Sequence, residues 1–280
     1  MTEDKITNYD QVITRNGYGY FPNLDKIPNL LHGFKWGNPE NIFYTREPGY
    51  PDNQAIIKVK ERVVIFLSEL KMSNPPQTVI FAALPELDNI CYLDQDSISK
   101  QQTLQDRGFY LESGAVFTTI KGLSIYAGLG DCSFTMFYSE GTTPLIGLIH
   151  AGRAELTKQS PKKTILEVIN KYNLNLKEIK LGILPYLGQE HHTVTSERFN
   201  QLPTGRDWEQ FSKRNNEVIH LDMGAYLLDQ YDQVGIPKQN IEIYNVDTYT
   251  SAAQGLCFSH RYDMNHNQST HRMGLAIQLI

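Results

Sequence analysis

GDCSFTMFYSEGTTPLIGLIHAGR, residues 130–153, decides how this chain is read. It is an apolar stretch that opens on Asp131-Cys132, passes a polar, glycine-containing turn and returns to His150. CSFTMFYS and PLIGLIH pair as a hairpin across EGTT. A register centred on Gly141 sets Cys132 directly opposite His150, with Cβ atoms about 4.5–5.5 Å apart on one face. A thiolate at about 2.3 Å and an imidazole nitrogen at about 2.0 Å can share one zinc ion from that separation. The Ala-Gly pair after His150 leaves room for a ligand to approach. The opposing reading is a buried thiol beside a core histidine satisfied by its neighbours.

Outward from the hairpin, strands alternate with helices. AIIKVKERVVIFLSELKM, residues 55–72, has the apolar spacing of a helix with one buried face, stopped by Asn74-Pro75-Pro76. TVIFAAL (78–84) is a strand, and VFTTIKGLSIYAG (116–128) supplies more. SPKKTILEVINKY (160–172) starts a helix with Ser160 as N-cap and Pro161 at the first helical position. LDMGAYLLDQYDQVG is a helix closed by Gly235, whereas EIKLGI, NIEIYNVDTYT and HRMGLAIQLI read as strands. Residues 1–53 read as loops with a few strands. The expected fold class is α/β (α+β), with mixed β-sheets covered by helices in one domain over residues 1–280.

A net charge of −5 and a pI near 5.9 give no electrostatic footprint for nucleic acid or an anionic membrane. The N-terminal MTEDKITNYDQV lacks the apolar core of a secretory signal, and no run approaches the ~20 apolar residues of a membrane span, so a cytoplasmic protein is expected. Cys91, Cys132 and Cys257 are scattered, odd in number and without a CxxC pair, which argues against a disulfide framework or a Cys-rich structural zinc site. No feature calls for an obligate protein partner.

The DC–hairpin–HAG order resembles the multicopper polyphenol oxidoreductase ("laccase domain", YfiH-like) family. Further stretches keep the family's order. VKERVVIFLSEL is similar to V-x-x-N-R-x-x-L, with Arg62 at the arginine and Glu61 at the asparagine. ILPYLGQEHHTV is similar to I-G-P-x-I-G-x-x-x-x-x-V at Pro185, Gly188 and Val194. CFSHRYDMNHNQSTHRM is similar to F-S-Y-R-R-D followed by T-G-R-M at Phe258, Ser259, Arg261, Asp263, Thr270, Arg272 and Met273. The resemblance spans roughly residues 40–280 and implies a layered α/β/β/α architecture, with residues 1–40 as a divergent N-terminal extension packed on it.

The resemblance also implies a purine nucleoside phosphorylase with adenosine deaminase activity, acting on adenosine or inosine and phosphate at one zinc ion. The family's ligand set is a cysteine and two histidines. Alignment through Ile90 puts Glu86 where the first histidine stands, so the implied metal ligands are Glu86, Cys132 and His150. Cys132, His150 and Asp131 are the implied catalytic group, with Asp131 facing away from the metal by strand alternation and supporting the site. Arg62, Arg261 and Arg272 are the candidates for phosphate, since guanidinium forks match its geometry. His260 and Asp263 lie in the arginine-rich motif as candidate substrate contacts, and His266 and His271 read as surface residues.

Three departures stand beside Glu86. Arg153 occupies the tryptophan position of HAGW, GQEHH replaces the usual cysteines, and VDTYT replaces C-T-x-C. His191 and His192 are then either replacement nitrogen ligands or loop residues. One Cys, one His and a Glu do not furnish the multi-histidine centres of copper phenol oxidation. The rival functions are peptidoglycan-precursor editing and a catalytically degenerate binding or regulatory protein of the same fold.

Overall fold

Runs that are apolar on both sides of a strand must be covered twice, and this requirement organises the molecule. The computed structural model describes residues 12–37, 53–72, 78–83, 88–100, 109–202, 208–268 and 271–280. The N-terminal part forms β1 (Ile13–Arg15), β2 (Tyr18–Tyr20), α1 (Pro22–Asp25), β3 (Leu30–Lys35), α2 (Asn53–Glu69), β4 (Thr78–Ala83), β5 (Ile90–Leu93), α3 (Gln95–Lys100) and β6 (Phe109–Ser113). The middle adds β7 (Ala115–Thr118), β8 (Ser124–Leu129), β9 (Ser133–Ser139), β10 (Leu145–Ala151), α4 (Arg153–Thr157), α5 (Ser160–Tyr172) and β11 (Ile179–Ile183). The C-terminal part adds β12 (Thr193–Thr195), α6 (Ser196–Asn200), β13 (Ser212–Asn215), β14 (Val218–Leu221), α7 (Met223–Val234), β15 (Ile241–Ile243), α8 (Thr248–Ala253), α9 (His260–Asn265) and β16 (Met273–Leu279).

Strands join in the orders β1-β2-β3-β16-β8-β4-β6, β15-β11-β9-β10-β7-β5 and β12-β14-β13. Every residue of β9 and β10 is buried. Phe134, Met136 and Tyr138 of β9 and Ile146 and Leu148 of β10 meet Phe81, Ile125, Leu275 and Ile277 of the seven-stranded sheet. The alternate residues Phe137 and Ile149 pack with Phe117 against Ile165 and Val168 of α5 and Leu227 and Tyr231 of α7. On the outer face of the seven-stranded sheet, Tyr126 and Ala276 pack on Phe66, Leu67 and Leu70 of α2. The layers are therefore α/β/β/α, as the sequence led us to expect. Among the described residues no helix is long and apolar enough to cross a membrane.

Several details differ from expectation. Residues 12–37 are not merely packed on the fold, because β3 is hydrogen-bonded into the seven-stranded sheet beside β16. The hairpin turns about Thr142 rather than Gly141, pairing Leu145 with Ser139 and His150 with Phe134. Cys132 lies two residues before Phe134 and so just past the ladder. A slip by one pair preserves the face, so Cys132 and His150 still share a side. The N-cap of α5 is Gln159, in left-handed conformation at φ 56°, and Ser160 is already helical. VDTYT is not strand: Asp247 caps α8 by accepting from the N–H groups of Tyr249 and Thr250.

Candidate active site

Asp131 holds the corner between β8 and β9. One carboxylate oxygen accepts from the Thr248 hydroxyl at 2.7 Å and the other from the Arg261 backbone N–H at 2.6 Å. The carboxylate thus ties the starts of α8 and α9 to the hairpin. Asp131 acts as a positioning residue through these bonds.

Cys132, the next residue, is exposed, and His150 at the end of β10 is buried. Gly152 joins β10 to α4, and a Cβ placed on it would lie 2.7 Å from Glu155 Oε2, 2.9 Å from Cys132 Sγ and 3.2 Å from His150 Cε1. The missing side chain makes the hollow in which thiol, imidazole and carboxylate converge. Glu155, on α4, is 2 % exposed, and its Oε2 stands 3.5 Å from His150 Nδ1. That distance is too long for a good hydrogen bond, and His150 Nδ1 is buried without one. Burial lowers the His150 pKa, but the Cys132 sulfur and the Glu155 carboxylate raise it by more, to about 10. The first turn of α4 is fixed in turn: the Thr157 hydroxyl donates to the Arg153 carbonyl at 2.7 Å and accepts from Trp208 Nε1 at 2.8 Å.

Arginines rim the corner. The Arg272 guanidinium lies against Gly130, where a Cβ would be 3.0 Å from its Nε, and feels the charges of Cys132 and Asp131. Arg153 feels Arg198 and Arg261, and burial together with these two cations lowers its pKa. His192 is buried behind them, its pKa lowered to about 3 by burial and by Arg153 and Arg261. Arg261 Nη1 donates to the His191 carbonyl and Thr193 Oγ1, both at 3.4 Å. His191 instead binds Asp247 Oδ2 through Nδ1 at 2.6 Å and stacks on Tyr249 with ring centroids 4.1 Å apart.

The structure thus brings together Cys132, His150, Asp131, Arg261 and Arg272. Arg62 is exposed on α2, and Glu86 lies outside the described residues. His191 is held at Nδ1 by Asp247, and His192 sits buried near Arg153 and Arg261. His260 lies near Arg272, Asp131 and Asp263, with its Nδ1 buried and unbonded. Asp263 accepts from the His271 backbone N–H at 3.0 Å, and the His271 ring stacks on Phe258 rather than standing free on the surface. His266 is exposed and stacks on Tyr262 at 4.0 Å. Glu155 and Arg198 were missed from sequence; the only signal was an acid five residues after His150, which reads equally well as a solvated helix residue.

The family model described as multi-copper polyphenol oxidoreductase laccase matches residues 60–280. The chain belongs to this family. Solved structures of similar fold are the Bacillus licheniformis hypothetical protein YfiH (TM-score 0.76, 20% identity, 97% of this chain and 100% of that one) and YlmD from Geobacillus stearothermophilus (0.74, 17%, 97% and 99%). Neisseria meningitidis NMB0706 is similar at a TM-score of 0.65 and 13% identity, over 90% of this chain and 95% of that one. No curated protein matches. The Cys132 sulfur and the His150 imidazole border the same hollow at Gly152 and suit two positions of a zinc ion. Among the described residues no group of three or more His, Cys, Asp or Glu side chains is arranged to hold a metal ion.

Proposed function

We propose that this laccase-type protein is a purine nucleoside phosphorylase with adenosine deaminase activity, acting on adenosine or inosine at the Cys132–His150 corner. What supports the reading is an exposed thiol and a buried imidazole meeting at the hollow of Gly152, with Arg153 and Arg272 near enough to feel the Cys132 charge. One zinc ion held by Glu86, Cys132 and His150 would supply Lewis acidity beside the reacting carbon. The Glu155 carboxylate faces His150 Nδ1 at 3.5 Å, and Nε2 is the nitrogen left for an ion.

Phosphorolysis needs phosphate directed at C1′ of the ribose while the base departs, and Arg261 and Arg272 provide the guanidinium forks. Deamination needs water at C6 of adenosine and release of ammonia. Asp131 fixes the backbone from which Arg261 projects, so it acts on both reactions by positioning.

The test is product chromatography on adenosine incubated with the purified protein, with and without phosphate, beside zinc content in wild type, Cys132→Ser and Glu86→Ala. Expected are adenine and ribose 1-phosphate only with phosphate, inosine without it, and near-equimolar zinc lost in both variants. Unchanged adenosine from zinc-loaded wild type overturns the reading and leaves a binding role for the fold.

A further inference from the structure

His191 and Asp247 meet from the two stretches, GQEHH and VDTYT, in which this chain departs from the family's cysteine motifs. His191 lies in the loop between β11 and β12, and Asp247 is the N-cap of α8. Nδ1 of the ring stands 2.6 Å from Oδ2 of the carboxylate. An ionised carboxylate only accepts, so Nδ1 carries the proton and Nε2 keeps its lone pair. Among the described residues Nε2 has no hydrogen-bond partner, and the side chain is 30 % exposed.

The pair is held more firmly than a helix cap requires. Asp247 Oδ1 accepts from the N–H groups of Gly188 at 2.7 Å and Tyr249 at 3.1 Å, and Oδ2 from the Thr250 N–H at 3.2 Å and hydroxyl at 2.6 Å. Burial works against the charge, but these donors and the His191 ring hold the carboxyl below the usual carboxylate range. The imidazole plane is fixed as well, stacked on Tyr249 with centroids 4.1 Å apart and 15° between the rings. A charged carboxylate behind a rigid imidazole whose other nitrogen is unbonded is an arrangement that moves protons.

Hydrogen bonds tie this dyad to the corner at Cys132. Thr248, next to Asp247, donates its hydroxyl to Asp131 at 2.7 Å, and the Leu187 N–H donates to the Asp131 carbonyl at 2.9 Å. Arg261 joins the two sides, its backbone N–H on Asp131 at 2.6 Å and its Nη1 on the His191 carbonyl at 3.4 Å. The loop of His191 and the helix of Asp247 are thus both fastened to the residue before Cys132.

We infer that His191, oriented by Asp247, is the proton-transfer residue for a purine nucleoside bound beside Cys132. The inference rests on the nucleoside reading and adds the proton path that it lacks. When hydrogen phosphate adds to C1′ and the bond from C1′ to N9 breaks, the purine takes the bonding pair and the phosphate still carries its proton. Nε2 accepts that proton from the phosphate hydroxyl and delivers it to a purine nitrogen. Ribose 1-phosphate and neutral adenine leave, and the imidazole returns to its starting form.

Base release from adenosine with phosphate is measured against pH for wild type, His191→Asn, His191→Ala and Asp247→Asn, with melting midpoints alongside. His191→Asn keeps an N–H for Asp247, and so the tether, but no nitrogen able to carry the proton. Its kcat is expected to fall about a hundredfold, with KM changed less than about threefold and one limb of the pH profile lost. Imidazole added to His191→Ala is expected to raise its rate about tenfold. Asp247→Asn still caps α8 but no longer fixes the tautomer, so it loses rate and added imidazole does not restore it. A wild-type rate in His191→Asn overturns the role of His191 and leaves the nucleoside reading standing. No product from wild type overturns that reading and the role together.

Discussion

Gly152 has φ −92° and ψ 178°, extended values that alanine adopts without strain. What a methyl group would meet there is chemistry rather than backbone: the Glu155 carboxylate at 2.7 Å and the Cys132 sulfur at 2.9 Å. Gly152→Ala is therefore expected to reduce nucleoside turnover and zinc retention by about tenfold or more, because displacing a reacting group by an ångström is expensive. Its melting midpoint should stay within a few degrees of wild type, since the contacting atoms are side-chain ends. Scanning calorimetry and zinc analysis on the same sample check both halves. The facing of Cys132 and His150 was legible in the sequence because strand alternation survives a slip of one pair. Glu155 was not, because nothing local distinguishes a helix glutamate turned inward at 2 % exposure from one in solvent.

At the scale of elements, the hairpin is held by close approach as much as by apolar area. A Cβ on Gly147 in β10 would lie 2.4 Å from Phe117 Cδ1, on the face turned to α5 and α7. Gly147→Ala must shift that ring and is expected to cost about 1–3 kcal/mol, read as a lower denaturation midpoint at unchanged slope. The N-terminal strands have a pH signature. His32 of β3 is buried, accepts the Phe21 backbone N–H at 2.9 Å, and has its pKa lowered to about 4, mainly by burial. An unfolded histidine titrates near 6.5, so below that pH the unfolded chain takes up a proton that the folded chain refuses. Stability is thus full above pH ~6.5 and falls as pH drops toward ~4, by about 3 kcal/mol from this residue. His32→Gln keeps an acceptor for Phe21 and should flatten that part of the stability–pH curve. The helices α5 and α7 were legible from Pro161 and Gly235, whereas the hairpin register was not, because Pro144 extends the turn beyond EGTT.

At the scale of the whole molecule, two stacked sheets draw the corner from distant parts of the chain. Asp131 binds Thr248 and Arg261, His191 binds Asp247, and Arg272 leads into β16, which lies between β3 and β8. Such pairings, 56 residues apart for His191 and Asp247, leave no periodic mark in a sequence and become visible only once the strands are ordered. The layered class was readable because hydrophobic alternation and motif order both report it. The burial of His192 near Arg153 and Arg261 was not, since all three look like ordinary loop and helix residues in the sequence. The most direct measurement is the steady-state rate of phosphate-dependent base release from adenosine by wild type beside Cys132→Ser, both supplied with zinc and matched in melting midpoint. Release by wild type that falls about a hundredfold or more in the variant is expected of a reacting centre at Cys132. Equal rates in the two proteins, or none in either, would contradict it.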